Sequence, residues 1–136
     1  MAKVKEISHV AMVVGDIEAS LAFWRDALGI TLSEVKLVPS EGAKVAFLPI
    51  GDSEIELVEP MEPGLGLFRF LEKRGPGMHH VCLEVDDIEG MLHRLKEMGV
   101  RLINETPSIE ASGKKYAFIH PESTQGVLVE LYEIDD

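Results

Sequence analysis

An internal repeat is the feature that most constrains the fold of this chain. Shifting the sequence by 71 positions places His9 on His80 and aligns the apolar stretches that follow them. Towards the end of each copy, Glu56 matches Glu130 at a slightly larger offset, which indicates that loops between equivalent elements differ in length. Two copies are too few for a solenoid, so the repeat predicts one pseudo-symmetric domain.

Each copy is expected to fold as a β-α-β-β-β unit. In the first copy, Asp16 suits the N-cap of a helix, and the apolar residues that follow recur at helical spacing until Gly29. The second copy repeats this order, with a helix over residues 87–98. The helix positions expected to be buried are Ile17, Leu21, Trp24 and Leu28 in the first copy, and Ile88, Leu92, Leu95 and Met98 in the second.

Strands bounded by glycine and proline complete the two copies. They are expected over residues 30–37, 43–50 and 53–58, and again over 101–104, 114–119 and 126–134, with first strands at 5–14 and 79–85. We therefore predict an α+β fold. We expect a single domain over residues 1–136, with pseudo-repeats at about 5–58 and 78–134 and an ordered linker at 59–77. Its curved mixed sheet, or partial barrel, is expected to surround a metal cleft.

Composition excludes several kinds of partner. The formal net charge of −11 argues against nucleic acid, whose phosphate backbone requires a basic surface. No apolar run approaches the roughly 18 residues of a membrane span, and no apolar signal segment opens the sequence. The single cysteine, Cys82, is typical of a reducing compartment, so we expect a cytoplasmic protein. Exposed sheet edges favour a homodimer.

Four residues of metal-binding type occupy equivalent places in the two copies. His9 and His80 lie on the first strand of each copy, and Glu56 and Glu130 lie on the last. If the copies pair around a shared cleft, two imidazoles and two carboxylates converge, a set that suits a divalent first-row metal. About two coordination positions would stay open for a chelating substrate, as a catalytic metal requires.

Taken singly, these residues have simpler explanations. A lone histidine at a strand start is more often a core or surface residue than a ligand, and a glutamate on a terminal strand is usually solvated. Repetition of both types favours a metal site, although symmetric copies also persist as inherited structure. His79 has the opposite strand parity to His80 and is expected to point away from the cleft. Cys82 is interpreted as a small packing residue.

Three stretches of the sequence resemble a known family. They are ISHVA from Ile7, FLEKRGPGMHHVC from Phe70, and GVLVEL from Gly126 with the preceding His120-Pro121. Together with the β-α-β-β-β repeat, they resemble the vicinal-oxygen-chelate superfamily, which includes glyoxalase I, extradiol dioxygenases and fosfomycin-resistance proteins. Within it, the chain is most similar to the methylmalonyl-CoA epimerase family. The middle stretch is the specific one, because the other two are shared more loosely across the superfamily.

The resemblance implies an activity and a set of site residues. It implies metal ligands at His9, His80 and Glu130 and a further ligand at Glu56, with cobalt as the expected metal and manganese, nickel, magnesium or zinc as alternatives. The implied reaction interconverts the (R) and (S) epimers of methylmalonyl-CoA through an enolate whose oxyanion a Lewis acid stabilises. Inversion needs a proton donor and an acceptor on opposite faces of the carbon, and Glu130 is the base that we name.

One position departs from the family pattern. Some members carry a second catalytic glutamate on the third strand of the first copy, where this chain has Val45, and valine cannot carry a proton. Glu41, Lys44 or a metal-bound water could take that role, and the sequence does not decide between them. The coenzyme A phosphates are expected near Lys114 and Lys115, in a polar loop of the second copy.

Two other functions fit the same ligands. A glyoxalase I-like lyase would act on a glutathione-type thiol adduct, and turnover assays would separate it from an epimerase. A non-catalytic binding or resistance module of the same fold would hold a small ligand tightly and turn nothing over. The expected partner of the epimerase is a small-molecule acyl-CoA substrate, with neither nucleic acid nor membrane involved.

Overall fold

Two compact units divide the chain in a computed structural model that describes residues 1–134. The first unit comprises His9–His79, and the second unit comprises Met1–Ser8 together with the described residues that follow His79. Each unit contains the helix and most of the strands of one repeat. The α+β class and the two β-α-β-β-β repeats predicted from the sequence are therefore confirmed.

The first repeat contains four strands. They are β1 (Val4–Val13), β2 (Glu34–Val38), β3 (Ala43–Ile50) and β4 (Ser53–Pro60). β1 runs parallel to β4, and β3 is antiparallel to both β4 and β2, so the strand order is β2-β3-β4-β1. A helix, α2 (Gly66–Arg74), lies in the segment between the two repeats.

The helix of the first repeat contains a widened turn. α1 (Ile17–Leu21) continues as a π-helical turn over Ala22–Ala27. At its end the backbone N–H of Leu28 donates to the carbonyl of Phe23 over 2.9 Å, five residues back instead of four. The wider turn shifts the phase of the helix, and Leu28 is 54% exposed. The prediction that Leu28 is buried is therefore wrong.

The second repeat has the same connectivity. Its elements are β5 (Gly77–Val85), α3 (Ile88–Glu97), β6 (Ser108–Ile109), β7 (Lys115–Ile119) and β8 (Val129–Glu133). β5 runs parallel to β8, and β7 is antiparallel to both β8 and β6, which gives the order β5-β8-β7-β6. None of the helices within residues 1–134 has the length and apolar character needed to cross a membrane.

Two sequence predictions fail in the second repeat. In place of a strand over 101–104, Leu102 makes only an isolated bridge with Ile119. The side-chain oxygen of Asn104 accepts from the backbone N–H of Phe118 over 2.7 Å, which occupies a donor that a longer strand would need. Met98, predicted to be buried, is exposed because α3 ends immediately before it.

The strands of each unit have one face against a helix and one face that carries predicted ligands. In the first unit, Ala46, Leu48 and Leu57 pack with α1, and in the second, Ala117, Ile119 and Leu131 pack with α3. We call these the helix faces. The opposite faces, here called the ligand faces, carry His9 and Glu56 in the first unit and His80 and Glu130 in the second.

Candidate metal centre

The first unit brings one predicted histidine against one predicted glutamate. β1 and β4 are paired so that Ala11 lies opposite Glu56, and His9 is two residues before Ala11 on the same face. His9 Nδ1 lies 3.3 Å from Glu56 Oε2. His9 is buried and Glu56 is half-buried, so the pair is largely shielded from water.

The second unit builds the same pair in the same register. Cys82 lies opposite Glu130 on the paired strands β5 and β8, and His80 is two residues before Cys82. His80 Nε2 lies 3.2 Å from Glu130 Oε1, and the His80 ring packs edge-on against Phe118 at 5.8 Å between ring centroids. The repeat therefore produces two His–Glu pairs in the same strand register, with Nδ1 nearest the carboxylate in His9 and Nε2 nearest it in His80.

Both pairs have the separation expected of neighbouring metal ligands. Two donors each about 2.1 Å from one ion and at right angles to each other lie about 3 Å apart. The observed separations of 3.3 Å and 3.2 Å are close to that value. Imidazole nitrogen and carboxylate oxygen are donors that divalent first-row metals accept. The residues of each pair therefore fit a divalent metal.

Glu54 is a further carboxylate that sequence reasoning missed. It lies directly opposite His9 in the pairing of β1 with β4. One potential ligand atom from each of His9, Glu54 and Glu56 falls within a group whose members lie within 4.8 Å of one another. Glu54 lies two residues from Glu56 on the same strand and so has the same parity, which is the signal in the sequence that could have identified it. The matching position of the second copy is Leu128, so the two units differ here.

Comparison with known proteins places the chain in a family. A model described as the glyoxalase/bleomycin resistance protein/dioxygenase superfamily matches residues 8–118. The mitochondrial methylmalonyl-CoA epimerase of Mus musculus is 40% identical, over 95% of this chain and 73% of that protein. The ethylmalonyl-CoA/methylmalonyl-CoA epimerase of Cereibacter sphaeroides is 39% identical, over 94% of this chain and 97% of that protein. The chain belongs to the methylmalonyl-CoA epimerase family, within the glyoxalase superfamily.

A solved structure extends this likeness to the fold. A methylmalonyl-CoA epimerase in complex with methylmalonyl-CoA and NH4+ matches with a TM-score of 0.85 at 26% identity. The match covers 97% of this chain and 96% of that chain. The predicted superfamily and family are therefore confirmed.

A second pair of repeated glutamates forms hydrogen bonds with the starts of the helices in this protein. Glu59 and Glu133 follow the predicted ligands by three residues and so lie on the helix faces. Glu59 Oε1 accepts from the backbone N–H of Ile17 over 2.9 Å, and Glu133 Oε1 accepts from that of Ile88 over 2.7 Å. Each carboxylate thus satisfies a free donor at the start of its unit's helix.

Cys82 is a neutral, buried neighbour of Glu130. Burial raises the pKa of the Cys82 thiol, and the Glu130 carboxylate raises it further. Such a thiol stays protonated and makes a poor nucleophile. This agrees with its interpretation as a packing residue.

The position that carries a second glutamate in some epimerases lies in an apolar cluster. Val45 is buried with Ala11, Ala43 and Val58 on the ligand face of the first unit. Lys44, one of the alternatives left open, has the parity of the helix face, so it does not share a face with Val45. The alternative Glu41 lies in a short 3₁₀ turn and is exposed.

The remaining residues singled out in the sequence, His79, Lys114 and Lys115, each contact a different partner. The ring of His79 packs against Phe70 of α2 at 5.0 Å between centroids. Lys115, on the helix face, pairs with Glu89 of α3 at 3.0 Å. The ammonium of Lys114 instead lies 4.6 Å from the centroid of the Tyr132 ring. The two lysines expected at the coenzyme A phosphates therefore have different surroundings.

Proposed function

We propose that this protein is a metal-dependent epimerase that interconverts (R)- and (S)-methylmalonyl-CoA through an enolate. The observation that carries the proposal is the duplicated His–Glu pair, in a chain 39–40% identical to methylmalonyl-CoA epimerases. The family resemblance and the substrate named for the solved relative support an acyl-CoA substrate over the thiol adduct of a lyase. Since one relative is also named for ethylmalonyl-CoA, that ester is a second substrate to assay.

The four proposed metal ligands are His9, Glu56, His80 and Glu130. Each pair offers two neighbouring donors, and two donors alone bind a divalent ion weakly, so we propose that both pairs hold one ion. Cobalt is the metal we expect, with manganese, nickel, magnesium and zinc as alternatives. When bound, the ion supplies a Lewis acid that stabilises the enolate oxygen.

Glu130 is the proposed base that removes the proton from C2 of the substrate. Its carboxylate is buried and therefore weakly solvated, and it lies 3.2 Å from His80 Nε2. The neutral thiol of Cys82 beside it does not compete as a base. The apolar cluster around Val45 can exclude water but cannot carry a proton.

We also propose a cellular location and an oligomeric state for the protein. A cytoplasmic location is supported by the single, unpaired cysteine. A homodimer is supported by β2, which lies at the end of its strand order and exposes Val35 and Leu37. Size-exclusion chromatography with light scattering would test the dimer, and a monomer at micromolar concentration would contradict it.

Deuterium exchange tests the reaction directly. Methylmalonyl-CoA incubated in D₂O with the metal-loaded protein should gain deuterium at C2 and racemise, and a chelator should abolish both. The control substrate is the hemithioacetal of methylglyoxal and glutathione, which should not turn over. If none of the five metals supports exchange, the epimerase proposal is wrong, and tight binding without turnover would favour the binding module.

A further inference from the structure

The helix between the two repeats, α2, carries a close group of cations in an acidic protein. Arg69, Lys73 and Arg74 lie within one helix that has a single carboxylate, Glu72, so its formal charge is +2 although the chain has a net charge of −11. All three cations are exposed. Within residues 1–134, none of the three makes an ion pair, whereas five other cations of the chain pair with carboxylates. The group can therefore accept an anion without giving up a carboxylate partner.

The helix dipole explains only part of this group. Cations in the last turn of a helix complement the partial negative charge of its C-terminal carbonyls, which accounts for Lys73 and Arg74. Arg69 lies in the first half of α2, where the dipole does not favour a cation. Because Arg69 and Lys73 are four positions apart, they project from the same side of the helix. Two neighbouring cations of this kind suit an anion that carries more than one charge.

The helix rests on the ligand face of the first unit. Leu67 of α2 packs against the apolar cluster that contains Val45. Two other members of that cluster lie two residues beyond the His–Glu pair of this unit on the same strands, which is about 7 Å along each strand. From Leu67 the helix continues for about 9 Å to Lys73. The cations of α2 are therefore near the proposed ligands of the first unit but do not belong to them.

Contacts before and after α2 hold the helix in place. The carbonyl of Gly42 accepts from the backbone N–H of Met61 over 2.7 Å, which ties the chain before α2 to the start of β3. The guanidinium of Arg74 lies over the Phe70 ring, 5.4 Å from its centroid, and that ring packs edge-on against His79 at 5.0 Å. A surface that is already ordered loses less conformational freedom when a ligand binds.

The two lysines that the sequence placed near phosphates have other contacts. Lys115 pairs with Glu89 at 3.0 Å, and the ammonium of Lys114 lies 4.6 Å from the centroid of the Tyr132 ring. An anion at Lys115 would compete with Glu89, whereas an anion at the cations of α2 would displace no carboxylate.

We propose that Arg69 and Lys73 bind the phosphates of the coenzyme A part of the substrate. The proposal rests on the proposed epimerase function, because the substrate of that reaction is an acyl-CoA. The pantetheine arm separates the phosphates from the thioester, so their partners must lie beyond the metal ligands, and α2 supplies cations there. Coenzyme A offers two anions of the same chemistry, the 3′-phosphate and the diphosphate.

Ligand truncation tests the proposal and distinguishes the two phosphates. Calorimetry would compare the binding of malonyl-CoA with that of malonyl-pantetheine, which has no coenzyme A phosphate, to the metal-loaded protein. Arg69→Gln combined with Lys73→Gln should weaken malonyl-CoA binding by about 10- to 100-fold, as expected for hydrogen bonds to charged groups. Binding of malonyl-pantetheine should not change. Equal binding of 3′-dephospho-malonyl-CoA by wild type and variant would assign the cations to the 3′-phosphate, and weaker binding by the variant would assign them to the diphosphate.

Controls separate phosphate recognition from net charge and from folding. Lys96→Gln combined with Arg101→Gln removes the same charge from two ion-paired cations and should leave malonyl-CoA binding unchanged. Arg69→Lys combined with Lys73→Arg keeps both charges and should bind malonyl-CoA within a few-fold of wild type. Added salt should weaken malonyl-CoA binding more in the wild-type protein than in the glutamine variant. If the double glutamine variant does not fold, Lys73→Gln alone provides the same comparison.

Three outcomes would overturn the proposal. Equal malonyl-CoA binding by the wild-type protein and the glutamine variant would exclude contact between α2 and the phosphates. Equal weakening of malonyl-CoA and malonyl-pantetheine binding would assign the two cations to the structure of the helix. Weakening specific to malonyl-CoA in Lys114→Gln combined with Lys115→Gln, and absent from the α2 variant, would place the phosphates at that loop. Exchange at C2 of methylmalonyl-CoA is measured separately in the wild-type protein, so failure here leaves the epimerase proposal intact.

Discussion

Glutamates three residues apart on the same strand have unlike tasks in this protein. Glu130 faces His80, whereas Glu133 accepts from the backbone at the start of α3. The same division holds for Glu56 and Glu59 in the first unit. Strand parity alone separates them, because positions three apart point to opposite faces. Substitution of single residues can therefore test ligation and folding separately.

The histidine pair at the start of β5 gives a sharp test of ligation. His80→Ala should lower metal affinity more than the 10- to 100-fold that is typical of losing a residue that supports a ligand. His79→Ala should keep the metal because its ring packs against Phe70 and has the opposite parity. Elemental analysis after dialysis measures the metal content of both variants. Equal occupancy in His80→Ala and wild type would rule out His80 as a ligand.

Glu130→Gln separates ligation from base catalysis. An amide still offers an oxygen to a metal but cannot accept a proton, so we expect most of the metal to be kept and exchange at C2 to be lost. Mass spectrometry of the substrate after incubation in D₂O, together with the metal content, provides both readouts. Loss of metal and exchange together would leave only ligation assigned to Glu130, and normal exchange would exclude it as an essential base.

At the scale of elements, α1 and α3 each begin at a backbone N–H that donates to a carboxylate from the last strand of the same repeat. These hydrogen bonds to Ile17 and Ile88 join each helix to the strand that also carries a proposed ligand. The π-helical turn after α1 has no counterpart in α3, so the helices differ although their first turns match.

Removing a helix-capping carboxylate should reduce stability without affecting the metal. Glu133→Ala leaves the N–H of Ile88 without its acceptor, and we expect a loss of about 1 kcal/mol in the free energy of unfolding. Urea denaturation of the metal-loaded protein measures this loss. Glu105→Ala, which breaks only an exposed pair with Lys96, is the control and should change stability by less than about 0.5 kcal/mol. Metal loss in Glu133→Ala would contradict the separation of tasks.

At the scale of the whole molecule, duplication gives each repeat a His–Glu pair of its own. One His–Glu pair is a small ligand set for a divalent ion, and this is why we propose that the two pairs bind one ion. The two repeats have diverged around this common plan. The first has Glu54 and Val45 on its ligand face, and the second has Cys82 beside Glu130.

Metal stoichiometry tests whether the two pairs share an ion. We expect one divalent ion per chain, and we expect His9→Ala and His80→Ala to lose it to the same extent. Because the ion binds only the folded protein, its removal should lower the melting temperature, and the shift should grow with the free metal concentration. Mass spectrometry under native conditions counts the ions. Two ions per chain, with one retained in His80→Ala, would contradict a shared site.

The sequence by itself determined the duplicated plan of the protein. The offset between His9 and His80 located equivalent strands, and the repeated Glu56 and Glu130 identified the residues that come to lie beside them. Composition and spacing were enough here, because helices and strands follow short-range periodicity and each pair depends on two neighbouring strands of one repeat. The family resemblance then supplied the chemistry that periodicity cannot give.

Only the tertiary structure decided which residues share surroundings with those pairs. It separated Lys114 from Lys115, brought Glu54 opposite His9, and placed Leu28 outside the core. Register between strands, the phase of a helix after a widened turn, and contacts between a loop lysine and a distant ring are set by packing among residues far apart in sequence. A repeat can be found from a single sequence, but pairings of this kind exist only once the chain has folded.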